Sequence, residues 1–192
     1  MTETTNAPAS LPFTGDPDAD RLLAEDPFAL LMGFALDQQV TVQKAFSGPA
    51  DLKRRLGHLD PARIAAMDPG ELDAVFRERP AIHRFPGSMA GKVQQLCEAI
   101  ARDYADDASR IWTEAADGPD LERRLLALPG IGEMKAKSII AILGKRIGVD
   151  LPGMDKVMPN HPTLGDVDSA DALAAYQAGK RAKKAALRAE KG

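Results

Sequence analysis

Apolar residues along this chain recur mostly at three- and four-residue spacing, the mark of helices that bury one face. Val93, Leu96, Cys97 and Ile100 fall on such a face, and with Gly87 and Ser88 ahead of them they predict a long helix over 89–104. Ile139, Ile140, Ile142 and Leu143 form the buried side of another over 133–147. Residues 28–37 are apolar nearly all round, which places that helix at the centre of the fold. Asp-Pro pairs stand at Asp26-Pro27, Asp60-Pro61 and Asp68-Pro69. Each joins a carboxylate that accepts from free backbone N–H groups to a ring already set at helical φ, so each predicts a helix start. The latter two open short helices that turn Ile64, Met67, Leu72, Val75 and Phe76 inward. Further helical stretches run through Leu56, around Ile111, over 119–127 and, capped by Asp168-Ser169, over 170–189. Residues 148–167, rich in proline and glycine, read as a long ordered loop. No segment reads as a strand, and Ala and Leu dominate over Val, Ile and Thr. The expectation is an all-α protein.

Length refines this to one core, or two small helical lobes sharing one. Residues 1–17 are small and polar and are expected to be a disordered tail. Residues 18–167 then form the folded domain, and 168–192 a C-terminal basic helix packed on it or extending from it. No apolar run approaches the ~18 to 20 residues that span a bilayer, and the N-terminus lacks the basic region and apolar core of a signal peptide. The lone cysteine, Cys97, permits no internal disulfide and fits a reducing interior. A soluble, cytoplasmic monomer without membrane contact is expected. His58, His83 and His161 lie far apart without ligand spacing, so no catalytic zinc, and no other cofactor, is expected.

Net charge is −3, unpromising for a nucleic-acid partner until its distribution is considered. Residues 1–130 carry a net −7 and residues 131–192 a net +4. A local basic face works on an acidic protein, because screening over ~8 to 10 Å hides the distant charge. The basic excess begins next to Leu128-Pro129-Gly130-Ile131-Gly132, between two helical segments. Two glycines one residue apart give backbone freedom and remove the Cβ atoms that block close approach. The following helix aims free N–H groups and its positive dipole end at whatever lies over the turn, and a DNA phosphate fits there. Lys135 and Lys137 lie in its first turns and add charge. An ordinary tight turn between helices is the competing reading, but Leu-Pro before the first glycine and Ile between the two make the string more specific than Gly-x-Gly.

With these residues the chain resembles the helix-hairpin-helix superfamily of base-excision DNA glycosylases, which includes endonuclease III and the 3-methyladenine glycosylases. Residues 26–41, running from Asp-Pro-Phe through Asp-Gln-Gln-Val-Thr, look like the family's first core helix and its glutamine-bearing turn. Ala90-Gly91-Lys92-Val93 resembles the start of a later helix, and the hairpin follows the glutamines by about 90 residues. The resemblance covers roughly residues 20–150. It implies an all-helical, two-lobed fold that binds double-stranded DNA and flips the target base out, since the glycosidic carbon is inaccessible inside a duplex. It implies also that Gln38 or Gln39 fills the gap left by that base. A surface or capping pair is the plainer account of two glutamines.

Glycosidic cleavage passes through an oxocarbenium-like state, so the site needs a carboxylate. Relatives that also cut the strand use a lysine two residues after the second hairpin glycine; that position here is Met134, and Lys135 is about 100° further round the helix. A monofunctional glycosylase without lyase activity is therefore expected. The family's aspartate follows the hairpin by about 20 residues in a Val-Asp pair. Val149-Asp150 comes 18 residues after Gly132, without the usual continuation, so Asp150 and Asp166 stand as alternatives, with Asp155 and Asp168 as rivals. The iron–sulphur cluster of some relatives needs four cysteines, and this chain has one. Lys180, Arg181, Lys183, Lys184, Arg188 and Lys191 could track phosphates or simply face solvent. A non-catalytic DNA-binding protein on the same scaffold is the alternative, and a helical interaction protein without a DNA role is the third.

Overall fold

The computed structural model describes residues 8–192. Among them no strand forms, and the protein is all-α. Eleven α-helices follow one another: α1 (Pro17–Glu25), α2 (Pro27–Leu36), α3 (Val42–Leu56), α4 (Pro61–Ala65), α5 (Pro69–Arg77), α6 (Pro86–Tyr104), α7 (Arg110–Thr113), α8 (Gly118–Leu126), α9 (Glu133–Ile142), α10 (Met154–Val157) and α11 (Ala170–Ala189). A π-helical turn, Leu143–Ile147, extends α9, and a 3₁₀ turn spans Leu164–Asp166. The proline- and glycine-rich stretch before α11 is thus a loop punctuated by two single turns of helix.

Aspartate starts five of the helices. The carboxylates of Asp16, Asp26, Asp60, Asp68 and Asp117 each accept from backbone N–H groups in the first turn that follows. Each such cap is worth about 1 kcal/mol, and at all but Asp117 the next residue is proline.

Every residue of α2 from Phe28 to Leu36 is buried, as its all-round apolar sequence requires. It packs against α1, α3 and α6. Gly33 admits the fully buried ring of Phe46 from α3, which meets Phe34 edge-on at 5.0 Å and Phe13 at 5.2 Å. On the far side α4 and α5 lie along α6, where the buried Gln94 amide donates to the Met67 carbonyl at 2.9 Å. The α8 helix packs on α9 and α10, and Gly165 lies against the backbone of Ala141 in α9.

The polar N-terminal tail is shorter than the sequence suggests. Residues 1–7 lie outside the described residues, but Leu11 and Phe13 are completely buried. Asp20 holds them there: its Oδ1 accepts from the backbone N–H of Phe13 (3.2 Å) and Thr14 (2.8 Å) and from the Thr14 hydroxyl (2.7 Å). Average polarity concealed two large apolar anchors. At the other end Leu173 of α11 is buried and Tyr176 and Gln177 are half-buried, whereas every residue beyond Gln177 is exposed.

A methyl group on Gly33 would stand 2.3 Å from Phe46, whose ring is enclosed on all sides. Gly33→Ala is expected to lower stability by about 1 to 3 kcal/mol, read from the urea midpoint at unchanged m-value.

Candidate nucleic-acid interface

The hairpin Leu128-Pro129-Gly130-Ile131-Gly132 links α8 to α9, and its apolar members anchor it: Leu128 and Ile131 are each 5% exposed. Its two glycines differ in their reasons. Gly130 sits at φ +81°, where only glycine is unstrained, and its Cα faces the C-terminal end of α2: a Cβ there would touch Ala35 at 3.5 Å. Gly132 has no such backbone demand, and a Cβ would meet nothing within 4 Å. Open space and a missing side chain at the N-cap of α9 leave that helix end bare, with no side-chain cap on its N–H groups. Met134, in its first turn, is 75% exposed.

Because Gly130 lies against Ala35, the hairpin adjoins the turn that follows α2. That turn carries Asp37, Gln38 and Gln39, so the two motifs read from sequence meet in space. Both glutamines are exposed. Gln38 accepts from the Lys92 ammonium at 2.6 Å, which ties the turn to the Ala90-Gly91-Lys92-Val93 segment of α6. Gln39 sits at φ +57°, a left-handed backbone that costs a residue with a side chain about 1 to 2 kcal/mol.

His83, 1% exposed, fastens the turn from beneath. Its Nδ1 accepts from the Phe85 N–H at 2.9 Å, so Nε2 carries the proton and donates to the Leu36 carbonyl at 3.0 Å. Burial pushes this imidazole below its ordinary pKa, with the bonds to Leu36 and Gln38 acting in opposition.

Lysines converge on the same place. Lys135 reaches back to the Gly130 carbonyl at 3.3 Å, and burial lowers its pKa against the raising effect of Asp37. Lys180 of α11 lies 5.4 Å over the Tyr176 ring. Asp37 itself is half-buried, and its carboxylate makes no hydrogen bond or ion pair among the described residues. Its pKa is raised by burial, opposed by Lys180 and Lys135. The basic residues from Lys180 in α11 to Lys191 just beyond its end are exposed, and none of them pairs with an acid among the described residues.

Other residues suggested by sequence lie in different settings. Lys137 is engaged within the fold, donating to the Val157 carbonyl at 2.9 Å and pairing with Glu122 at 2.7 Å. Asp166 caps its 3₁₀ turn, one oxygen accepting from the Thr163 N–H at 2.9 Å and the other bound to Lys145 at 2.6 Å. Burial disfavours its charge, yet these partners prevail and hold its carboxyl below the ordinary range. Asp150 is exposed after the π-helical turn, with no hydrogen bond to the hairpin or the glutamines. Cys97 is buried in α6, where burial raises its thiol pKa. Two surface hollows lie elsewhere, one beside Arg54, Arg55 and Arg79 and one beside Phe28, Leu59 and Pro61. Among the described residues no His, Cys, Asp and Glu cluster could hold a metal, and no helix is long and apolar enough to cross a membrane.

Sequence reasoning passed over Asp37 and Tyr176 as site residues, and took Lys180 only as one of a basic run that tracks phosphates or faces solvent. For Asp37 the signal was present: an ionisable side chain at the end of a wholly apolar helix, directly before the two glutamines. For Tyr176 there was none.

No family model matches the chain, and no curated protein or solved structure matches it.

Two measurements follow from this geometry. The native His83 binds fewer protons than the unfolded histidine, whose pKa is about 6.5. Its contribution is therefore complete above about pH 6.5 and is lost as pH falls through the lower native value. Stability curves of the protein and of His83→Asn should converge over that window; parallel curves would contradict the buried neutral tautomer. Gln39→Gly relieves the left-handed strain and is expected to raise stability by about 0.5 to 1 kcal/mol, the remainder being lost to glycine's freedom in the unfolded chain.

Proposed function

We propose that this protein binds duplex DNA as a helix-hairpin-helix base-excision protein, and that it is a monofunctional DNA N-glycosylase acting on a damaged or mismatched base. The observation that carries this is the meeting of the hairpin with the glutamine turn, seen in the approach of Gly130 to Ala35 across about 90 residues of sequence. A phosphate gripped at the bare end of α9 would sit beside the glutamines, which is where a base leaving the stack must be replaced. Lys92, Lys135 and Lys180 supply charge around that point, and the exposed run of α11 lengthens the basic track. On this reading the fold is two-lobed, the protein acts as a monomer, an aspartate drives hydrolysis, and no iron–sulphur cluster takes part because its four thiolates cannot come from one cysteine. Met134 in the position of the strand-cutting lysine favours base removal alone.

A second reading keeps the DNA face and drops the chemistry. Asp166 is engaged by Lys145 and Thr163, and Asp150 is exposed with no hydrogen bond to the glutamines, which favours a binding protein on a glycosylase scaffold.

The binding half is tested by Gly132→Asp, which sets a carboxylate on the bare helix end without disturbing the fold. Affinity for a short duplex should fall at least about tenfold at moderate salt, about 1.4 kcal/mol, with the melting temperature the same or higher, since an aspartate there caps α9. Undiminished affinity contradicts the hairpin as the DNA contact. Incubation with duplexes bearing different lesions, followed by alkaline cleavage of abasic sites, tests the catalytic half. Product on one of them is expected; none at stoichiometric protein leaves only the binding role.

A further inference from the structure

We propose that Asp37 is the carboxylate that drives glycosidic hydrolysis; the assignment rests on the base-excision reading above. It stands two residues beyond Ala35, which touches the hairpin, and directly before the two glutamines at which an extruded base would be replaced. Asp150 and Asp166 share neither position. The Asp37 side chain is half-buried yet has no hydrogen bond and no ion-pair partner among the described residues. The structural aspartates here behave differently: Asp20, Asp26, Asp60, Asp68 and Asp117 all accept from backbone N–H groups, and Asp120 and Asp166 pair with cations. Burial without a partner is costly, and a carboxylate kept in that state is available for a ligand. Burial also pushes its pKa up, which makes it a better proton acceptor than a solvated carboxylate.

The residues around it divide the work. The charges of Lys135 from α9 and Lys180 from α11 act on Asp37, Lys180 lies over the Tyr176 ring, and Lys92 is bonded to the neighbouring Gln38. The lysines meet the phosphates on either side of the extruded nucleotide, leaving the carboxylate to face the sugar. In the reaction the bond from C1′ of the deoxyribose to the base nitrogen breaks, and its electron pair leaves with the base. A water oxygen bonds to C1′, Asp37 takes the proton that this water loses, and the proton passes on to the departing nitrogen. Water is added across one bond, and Asp37 ends ionised as it began. Between these events the carboxylate faces the positive charge that grows on the sugar.

Single-turnover excision on a duplex that the unaltered protein cleaves tests the assignment. Asp37→Asn is expected to slow excision by about 10² to 10⁴, with affinity for a duplex holding a non-cleavable abasic-site analogue unchanged and a melting temperature at least as high as before. Asp37→Glu, which keeps the charge, is expected to recover part of the rate. Excision by Asp37→Asn within about threefold of the unaltered protein, on the scale of that expected loss, overturns the assignment and leaves the glycosylase reading intact. So does a loss confined to Asp150→Asn or Asp166→Asn. No excision by the unaltered protein on any lesion overturns the reading beneath it, and the assignment with it. Equal loss of rate and of abasic-duplex affinity in Asp37→Asn also counts against a role in the chemical step.

Discussion

The complete burial of α2 is the constraint on which the rest of the structure depends. A helix with no polar face cannot lie on a surface, so α1, α3 and α6 must enclose it, and its two ends are all that solvent can reach. One end is closed by Asp26, whose carboxylate accepts from Phe28 and Ala29. The other must release its last carbonyls and turn, and there His83 supplies a donor to Leu36. A buried helix held at both ends delivers the residues after it to a fixed place. Those residues are Asp37, Gln38 and Gln39.

Rigidity explains why strain is tolerated at that end. Gln39 in a left-handed backbone is a cost that an unconstrained surface turn would shed, and glycine would shed it with no hydrogen bond lost, since the Gln39 side chain makes none among the described residues. A long amide kept there at that cost implies that the side chain matters. The same logic applies to Gly132, where no neighbour forbids a side chain and one is nevertheless missing. One site keeps a side chain the backbone resists, and the other lacks one the backbone would allow. Both follow from the proposed reading, in which a ligand approaches from outside.

Much of this was legible in the sequence because its physics is local. Asp-Pro pairs set helix starts through groups two and three residues apart, and the caps at Asp26, Asp60 and Asp68 follow directly. Helical spacing set the apolar face of α6 in the same way. What stayed hidden is what depends on distance along the chain. The anchoring of Leu11 and Phe13 requires Asp20 to fold back on the segment before it, and window polarity cannot register that. Lys137 reads as a free cation beside the hairpin until α8 brings Glu122 to it. Asp166 reads as an available carboxylate until Lys145 arrives from the π-helical turn. For Lys137 and Asp166 a partner elsewhere along the chain engages a side chain that reads as free in the sequence.

Charge placement shows how an acidic protein can present a basic surface. Most carboxylates of the first 130 residues are occupied, as helix caps or in short-range pairs such as Arg77 with Asp73 and Arg124 with Asp120, so their fields are compensated close to home. Exposed pairs of this kind contribute little stability, but they remove free negative charge from the surface. Basic residues near the hairpin are compensated differently: Lys92 is bonded to a neutral amide, Lys135 to a backbone carbonyl, and Lys180 lies over an aromatic ring. Their positive charge is held in position without being neutralised by a close pair. Asp37 is acted on by both Lys135 and Lys180, and among the described residues it forms no pair with either. An uncancelled carboxylate among uncancelled cations is a poor design for stability alone. On the proposed reading it is a coherent one, since such a site would grip phosphates and also face a carbon on which positive charge develops.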